Sequence, residues 1–198
     1  MNKKTSCTRI NSKCIYCQNS EGEFKTQEHF FPESLGGGEW SVLPDGLMCD
    51  ACQRYFGTKV ERLALSDWPF NFVRFNMSIP TKKKKPAQMD TDLGHMTACK
   101  IPGYSKIHLK SGVSIADKFP QLEIQIPAFP NEPRLVCRTL VKIAIGSLAN
   151  IKSVNIFAPQ FNPARQFSRF DDNRIKWWYL ERVDRGKMRK AFELGADV

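Results

Sequence analysis

The sequence predicts an α+β protein in which a small zinc-stabilised unit precedes a basic region of mixed helices and strands. Three observations lead to this prediction. Two Cys-x-x-Cys pairs are separated by 31 residues. The stretch from the first pair past the second has the order strand, glycine loop, strand, helix. Positive charge accumulates only downstream of the cysteine pairs, since the first 60 residues hold seven basic and seven acidic side chains while the whole chain carries +10.

Length and composition limit the number of domains and the size of the core that the chain can form. A chain of 198 residues, 41% of them hydrophobic, can bury a real core and suits one domain or two small ones. We predict a zinc-binding unit at residues 10–67 and a basic domain at residues 80–198. No apolar run approaches the roughly 18 residues of a membrane span, and the polar start lacks a secretory signal. The expected location is therefore the cytoplasm, with no membrane partner.

The paired cysteines predict a structural metal site. A Cys-x-x-Cys turn presents two thiolates to one ion, and two such turns complete a tetrahedral zinc site. The remaining cysteines, at positions 7, 99 and 137, have no paired spacing and are interpreted as buried or idle thiols. The four predicted zinc ligands are Cys14, Cys17, Cys49 and Cys52.

Each element of the zinc unit has a local signal. Residues 28–31 are typical of a short strand that Pro32 ends, and Gly36 to Gly38 favour a loop with unusual backbone angles. Residues 40–47 then form a second extended segment. From Asp50, interpreted as the helix cap, apolar residues recur at helical spacing. The predicted inward-facing residues of this helix are Tyr55, Phe56, Val60, Leu63 and Ala64.

Four segments taken together resemble the HNH endonuclease family, in the branch with two zinc-binding Cys-x-x-Cys pairs around a ββα-metal unit. They are "CIYC", "EHFFPESLGG", "LMCDAC" and "QRYFG", and they span about a quarter of the chain. The resemblance implies that His29 is the general base and that Glu28 is a ligand of a catalytic divalent metal, Mg²⁺ or Mn²⁺. Without the resemblance, His29 could be an ordinary half-buried imidazole and Glu28 a solvated strand carboxylate.

The chemistry of phosphodiester hydrolysis explains why these residue types occur together. A neutral imidazole can deprotonate water near neutral pH. A divalent cation offsets the negative charge that develops on the phosphate and on the leaving oxygen. Neighbouring residues of a regular strand point to opposite faces, so Glu28 and His29 converge only if the backbone is distorted. We expect the glycines and Pro32 to supply that distortion.

One position departs from the family pattern. The branch usually has asparagine directly after the last zinc cysteine, where its amide oxygen helps to hold the catalytic metal, and this chain has Gln53. Glutamine offers the same oxygen on a side chain one methylene longer. Glu61, further along the helix, is a weaker candidate, and the simpler interpretation is a surface carboxylate paired with Lys59 or Arg62.

The sequence of the downstream region predicts a surface that binds nucleic acid. Residues 66–79 suggest a strand, residues 106–115 and 121–129 have β character, and the segment after Pro133 is a clear helix. On this helix three cations repeat every four residues, which suggests a stripe for phosphates or an ordinary amphipathic surface. The candidate nucleic-acid contacts are Lys82, Lys83, Lys84 and Lys85 in a loop, and Arg134, Arg138 and Lys142 on the helix.

Two functions remain open at this stage. The first is a metal-dependent endonuclease acting on nucleic acid, DNA rather than RNA because most relatives cleave DNA, with a role in phage defence or within a larger effector complex expected by analogy. The second is a zinc-containing module that binds nucleic acid or assembles a complex without cleaving. Both functions retain the cysteines and the basic charge, but only the first requires His29.

Overall fold

The computed structural model describes residues 12–81, 83–91, 94–101, 104–110 and 129–177. They fall into two compact units. The first unit takes its described residues from 12–33, 37–63 and 134–176, and the second takes them from 34–36, 64–133 and 177. Residues 134–176, which the sequence assigned to the downstream region 80–198, therefore lie in the same unit as the cysteine pairs.

A very short hairpin lies between the cysteine pairs. His29 and Val42 form a single antiparallel bridge. The bridge is flanked by hydrogen bonds from Phe30 N to Ser41 O and from Leu43 N to Glu28 O, each 2.8 Å. The two predicted strands shrink to this bridge because two 3₁₀ turns, Glu33–Leu35 and Glu39–Ser41, occupy the connection.

Two glycines make the connection possible. Gly36 has φ of +94°, which side chains rarely tolerate. At Gly37 a Cβ atom would lie 2.2 Å from the carbonyl oxygen of Phe31, so no side chain fits. The glycine run therefore closes the turn that returns the chain from His29 to Val42.

The helix after the second cysteine pair runs from residue 50 to residue 64. It consists of α1 (Asp50–Tyr55), a π-helical turn (Phe56–Glu61) and α2 (Arg62–Ala64). Cys49, not Asp50, is the N-cap residue, and the Asp50 carboxylate instead accepts hydrogen bonds from Lys25 N, Thr26 N and Thr26 Oγ1. The π turn changes the phase of the helix, so Leu63, predicted to face inward, is 46% exposed.

Two later helices complete the first unit. They are α4 (Pro133–Ala149), where the sequence predicted a helix, and α5 (Asn162–Phe170), which follows a 3₁₀ turn at Pro159–Phe161. Tyr16 donates from its hydroxyl to the carbonyl of Lys142 at 3.0 Å, and Arg165 donates from Nε to the carbonyl of Ile15 at 2.7 Å. The fully buried apolar side chains of this core are Ile15, Tyr16, Phe56, Val60, Val136, Ile145 and Phe167.

The second unit combines a helix with an antiparallel sheet. Residues 66–79 were predicted as a strand, and this was wrong, because α3 spans Phe70–Asn76. Its phenylalanines favour strands intrinsically, but burying Phe75 against Met89 and Met96 overrides that preference. The sheet has the order β1 (Gln88–Thr91), β2 (Gly94–Ile101), β3 (Tyr104–Lys110), with Met89 opposite Met96 and Thr97 opposite His108.

Strand β3 agrees with the β character expected from residue 106. The other predicted β segment, 121–129, lies outside the described residues except for its last position, as does the chain after residue 177. In the parts of the chain that the structure describes, no helix is long and apolar enough to cross a membrane.

Candidate metal centre and active site

The two Cys-x-x-Cys pairs converge on one point. Hydrogen bonds from Lys13 N to Gly46 O (3.0 Å) and from Ile15 N to Leu47 O (2.8 Å) hold the first turn beside the chain that enters the second. The four Sγ atoms all lie within 4.8 Å of one another, and those of Cys17 and Cys49 are 3.6 Å apart. Tetrahedral zinc with Zn–S bonds of about 2.3 Å requires sulfurs about 3.8 Å apart. The predicted cluster is confirmed, and its geometry fits one zinc ion.

The pKa values of the cysteine thiols indicate that a bound cation is needed to ionise all four of them. A hydrogen bond from Cys52 lowers the pKa of Cys14 to about 5, and the same bond, together with burial, raises the pKa of Cys52. Burial raises the pKa of the Cys49 thiol to about 11. Adjacent thiolates repel each other, so full ionisation of the cluster needs a bound positive charge. Arg169 contributes part of it by donating from Nε to Cys52 Sγ at 3.1 Å.

His29 is held by its backbone while its ring reaches solvent. The bridge to Val42 fixes its main chain, and its carbonyl accepts a hydrogen bond of 2.9 Å from Lys142 Nζ. The side chain is 23% exposed, and Nε2 lies 3.9 Å from Glu33 Oε1. This separation exceeds the length of a hydrogen bond.

Glu28 belongs to a buried ionic cluster. Lys142 Nζ lies 2.8 Å from Glu28 Oε1 and 2.8 Å from Glu61 Oε1. The lysine side chain is fully buried, and the carboxylates are 14% and 13% exposed. Burial lowers the pKa of Lys142, but Glu61 and Glu28 outweigh that effect and raise it, so the amine stays charged. Glu61 is thus a partner of Lys142 and not the surface carboxylate that the simpler interpretation expected.

Two of the three cations in the predicted phosphate stripe on α4, Arg138 and Lys142, are buried, and for these two the prediction is wrong. Lys142 is enclosed by the two carboxylates, and Arg138, 3% exposed, donates to the Ser168 carbonyl and to Tyr55 Oη. Arg134 donates from Nε to Asp171 Oδ1 at 2.7 Å. Arg138 and Lys142 bind protein groups because α4 packs into the first unit, whereas Arg134 is part-exposed in its ion pair with Asp171. In the predicted basic loop, Lys83, Lys84 and Lys85 are exposed, and Lys82 lies outside the described residues.

Gln53 lies beside the hairpin and its amide donates from Nε2 to the carbonyl of Gln27 at 3.4 Å. Glu28 also lines a surface cavity of about 210 Å³, with Thr26, Gln27 and Asp45. Among the residues described, the four cysteines are the one group of three or more His, Cys, Asp or Glu side chains placed to share an ion. Magnesium commonly uses only one or two protein oxygens together with water and phosphate oxygens. Glu28 and Gln53 each carry a side-chain oxygen of the kind that magnesium binds.

The sequence analysis missed two features. One is the pairing of Lys142 with Glu28 and Glu61. Its signal was present, since α4 carries no acidic residue and Lys142 stands between the buried Val141 and Ile145. The other is a set of cations on the solvent side of the 50–64 helix. Its members are Arg54, Lys59 and Arg62. None of the three forms an ion pair with another residue in the described ranges.

Comparison with known proteins gives a family match for the cysteine-bounded segment. Residues 14–68 match the family model described as HNH endonuclease, which confirms the resemblance in the cysteine-bounded segment. The match covers a little over a quarter of the chain and supports a nuclease-type function in general terms. It ends before α4 and α5. No curated protein and no solved structure gives a match.

Proposed function

We propose that residues 14–68, the segment that matches the HNH endonuclease family, form the catalytic unit of a metal-dependent endonuclease that hydrolyses phosphodiester bonds, in DNA rather than RNA. One observation carries the proposal. His29, at the position that the family uses for its general base, has a fixed backbone and an accessible ring beside a carboxylate.

In the proposed mechanism the neutral imidazole of His29 takes a proton from the attacking water. The water oxygen bonds to phosphorus, the bond to the departing oxygen breaks, and the departing oxygen takes a proton from solvent. Glu33, 3.9 Å from Nε2, stabilises the imidazolium that results. Glu28 and Gln53 are the proposed ligands of Mg²⁺ or Mn²⁺, which when bound offsets negative charge on the phosphate oxygens. Zinc in the cysteine cluster has a structural role.

Replacing His29 with alanine tests the proposal. Loss of a general base should reduce cleavage by about 100-fold or more. The ring is at the surface, so zinc content and the thermal unfolding temperature should stay close to those of the native protein. The measurement is nicking of supercoiled plasmid in the presence of Mg²⁺ or Mn²⁺.

His95→Ala is the matched control. His95 is another histidine beside a carboxylate, Asp90, but it belongs to the second unit, and its removal should leave cleavage unchanged. Undiminished cleavage by the His29 variant would show that the base is another residue. If native protein and variant are equally inert while DNA binding is intact, the protein is a non-catalytic zinc module.

In the first unit, the exposed cations of the 50–64 helix are the proposed contacts to phosphates. In the second unit, the exposed turn at Lys83 to Lys85 is a separate proposed contact. Helix α1 and the following π turn carry Arg54 and Lys59 on the solvent side, and Arg62 follows. Gly57 stands among them, and a Cβ atom placed there would have no neighbour within 4 Å, so the helix surface is open at this point. The charge of these side chains is available to a polyanion, unlike that of the buried Arg138 and Lys142 on α4.

Replacing Arg54, Lys59 or Arg62 singly with alanine should weaken binding to a DNA duplex. Each lost phosphate contact should lower the slope of log affinity against log salt by about one. Fluorescence anisotropy at several salt concentrations measures this slope. Lys152→Ala, at an exposed lysine after α4, should leave the slope unchanged. Equal slopes in all four variants would exclude this helix as the contact surface.

A further inference from the structure

We propose that Lys142 is a positioning residue of the nuclease site, supplied by α4 from outside the segment that matches the family. Its ammonium orients the Glu28 carboxylate and the His29 backbone, and it sets the net charge with which the site meets a divalent cation. The inference rests on the proposed function, because it assigns Glu28 to the cation and His29 to the proton transfer.

The first step is geometric. A lysine ammonium has three N–H groups and no acceptor. Nζ of Lys142 has three oxygens in reach: Glu28 Oε1 at 2.8 Å, Glu61 Oε1 at 2.8 Å and the carbonyl of His29 at 2.9 Å. Nζ donates hydrogen bonds to Glu28 Oε1 and to the His29 carbonyl, and it forms an ion pair with Glu61 Oε1, so three contacts hold the buried ammonium in place.

The second step concerns the hairpin atoms that Lys142 contacts. Glu28 and His29 are neighbours in the hairpin, and Lys142 contacts the side chain of one and the main chain of the other. A regular strand would send these two side chains to opposite faces. The ammonium therefore fixes the backbone from which the imidazole projects, and it also determines the direction of the carboxylate.

The third step concerns charge. Two carboxylates and one ammonium give the cluster a net charge of about −1 when the groups are ionised. Glu28 thus keeps negative charge for a cation, while Lys142 prevents two facing carboxylates from repelling each other. Removing the ammonium should raise the attraction for a divalent cation, and neutralising Glu61 should lower it.

A main-chain contact of Lys142 also links this residue to the first cysteine turn. Tyr16 donates its hydroxyl to the main-chain carbonyl of Lys142 at 3.0 Å, and both residues are buried. The helix is therefore anchored to the first cysteine turn at the same residue whose side chain reaches the hairpin. The family-matched segment depends on α4 for the orientation of its own site residues.

The test is Mn²⁺ binding by full-length, zinc-loaded protein, followed by the loss of the electron paramagnetic resonance signal of free Mn²⁺. Three proteins form a charge series: Lys142→Met, the native protein and Glu61→Gln. At the separations of this cluster, one unit of charge should change Mn²⁺ affinity by at least about tenfold. The expected order of affinity is Lys142→Met above native and native above Glu61→Gln, and turnover should fall in Lys142→Met although it binds the metal more tightly.

Glu61→Gln covers the case in which Lys142→Met does not fold, since it retains the contacts of Lys142 to Glu28 and His29. Thermal unfolding identifies the variants that fold. Equal Mn²⁺ affinity in native protein and folded Glu61→Gln overturns the inference, as does absence of Mn²⁺ binding in the native protein. If the affinity order holds while no variant or native protein cleaves DNA, the nuclease proposal fails and the role of Lys142 in the cation site stands.

Discussion

Substitution of Cys52 by serine is expected to abolish cooperative folding of the first unit. Cys52 is fully buried in the cysteine cluster, where it also accepts the hydrogen bond from Arg169. Structural zinc contributes about 10–16 kcal/mol in small zinc-binding peptides, and whole domains are stable by about 5–15 kcal/mol. Losing one of four thiolate ligands can therefore remove the entire free energy of unfolding of the first unit. Metal content should fall well below about one zinc ion per chain, and the thermal transition followed by circular dichroism should broaden or vanish.

Cys137→Ala provides the matched control. Cys137 is a buried cysteine of the same unit but lies outside the metal cluster. Removing its sulfur should cost about 1 kcal/mol and leave the zinc content unchanged. A strong chelator should reproduce the effect of Cys52→Ser in the native protein. A Cys52 variant that unfolds at the same temperature as the native protein, with or without chelator, would show that the cluster carries no structural metal.

The features that the sequence predicted correctly are those encoded by local spacing. A Cys-x-x-Cys turn brings its two sulfurs together wherever it lies in the fold, and both turns share one centre here. The α+β class followed in the same way, because the helix after Pro133 and the β3 region each carry their own periodicity. The match of residues 14–68 to the HNH endonuclease family was evident from four short segments.

The features that the sequence did not predict depend on contacts between distant segments. A repeat of cations at positions 134, 138 and 142 is the same pattern whether the helix faces water or buried carboxylates, and only the docking of α4 decides between them. The strand expected at 66–79 failed for a similar reason, since burial of Phe75 against the sheet outweighs local propensity. The resemblance to the HNH endonuclease family suggested the candidate site of Glu28 and His29, whereas the charge balance of that site depends on residues more than 30 positions away.

Replacing Gly146 with alanine is expected to displace α4 from the hairpin. A Cβ atom at this position would lie 2.2 Å from Phe30 Cβ and 3.2 Å from Tyr16 Oη. Phe30 Cβ is bound directly to the backbone beside His29, so rotating a side chain cannot relieve the contact. Overpacking of this kind costs about 1–3 kcal/mol. Because the same helix carries Lys142, cleavage should fall by more than the loss of folded protein explains.

Gly57→Ala is the control, and its expected effect has the opposite sign. Nothing lies within 4 Å of a Cβ atom at this helical position, and alanine is favoured over glycine in helices by about 1 kcal/mol. Thermal and urea unfolding of the two variants should therefore shift in opposite directions, with zinc content unchanged in both. A Gly146 variant as stable and as active as the native protein would mean that α4 does not approach Phe30 this closely, and the positioning of His29 by Lys142 would lose its structural basis.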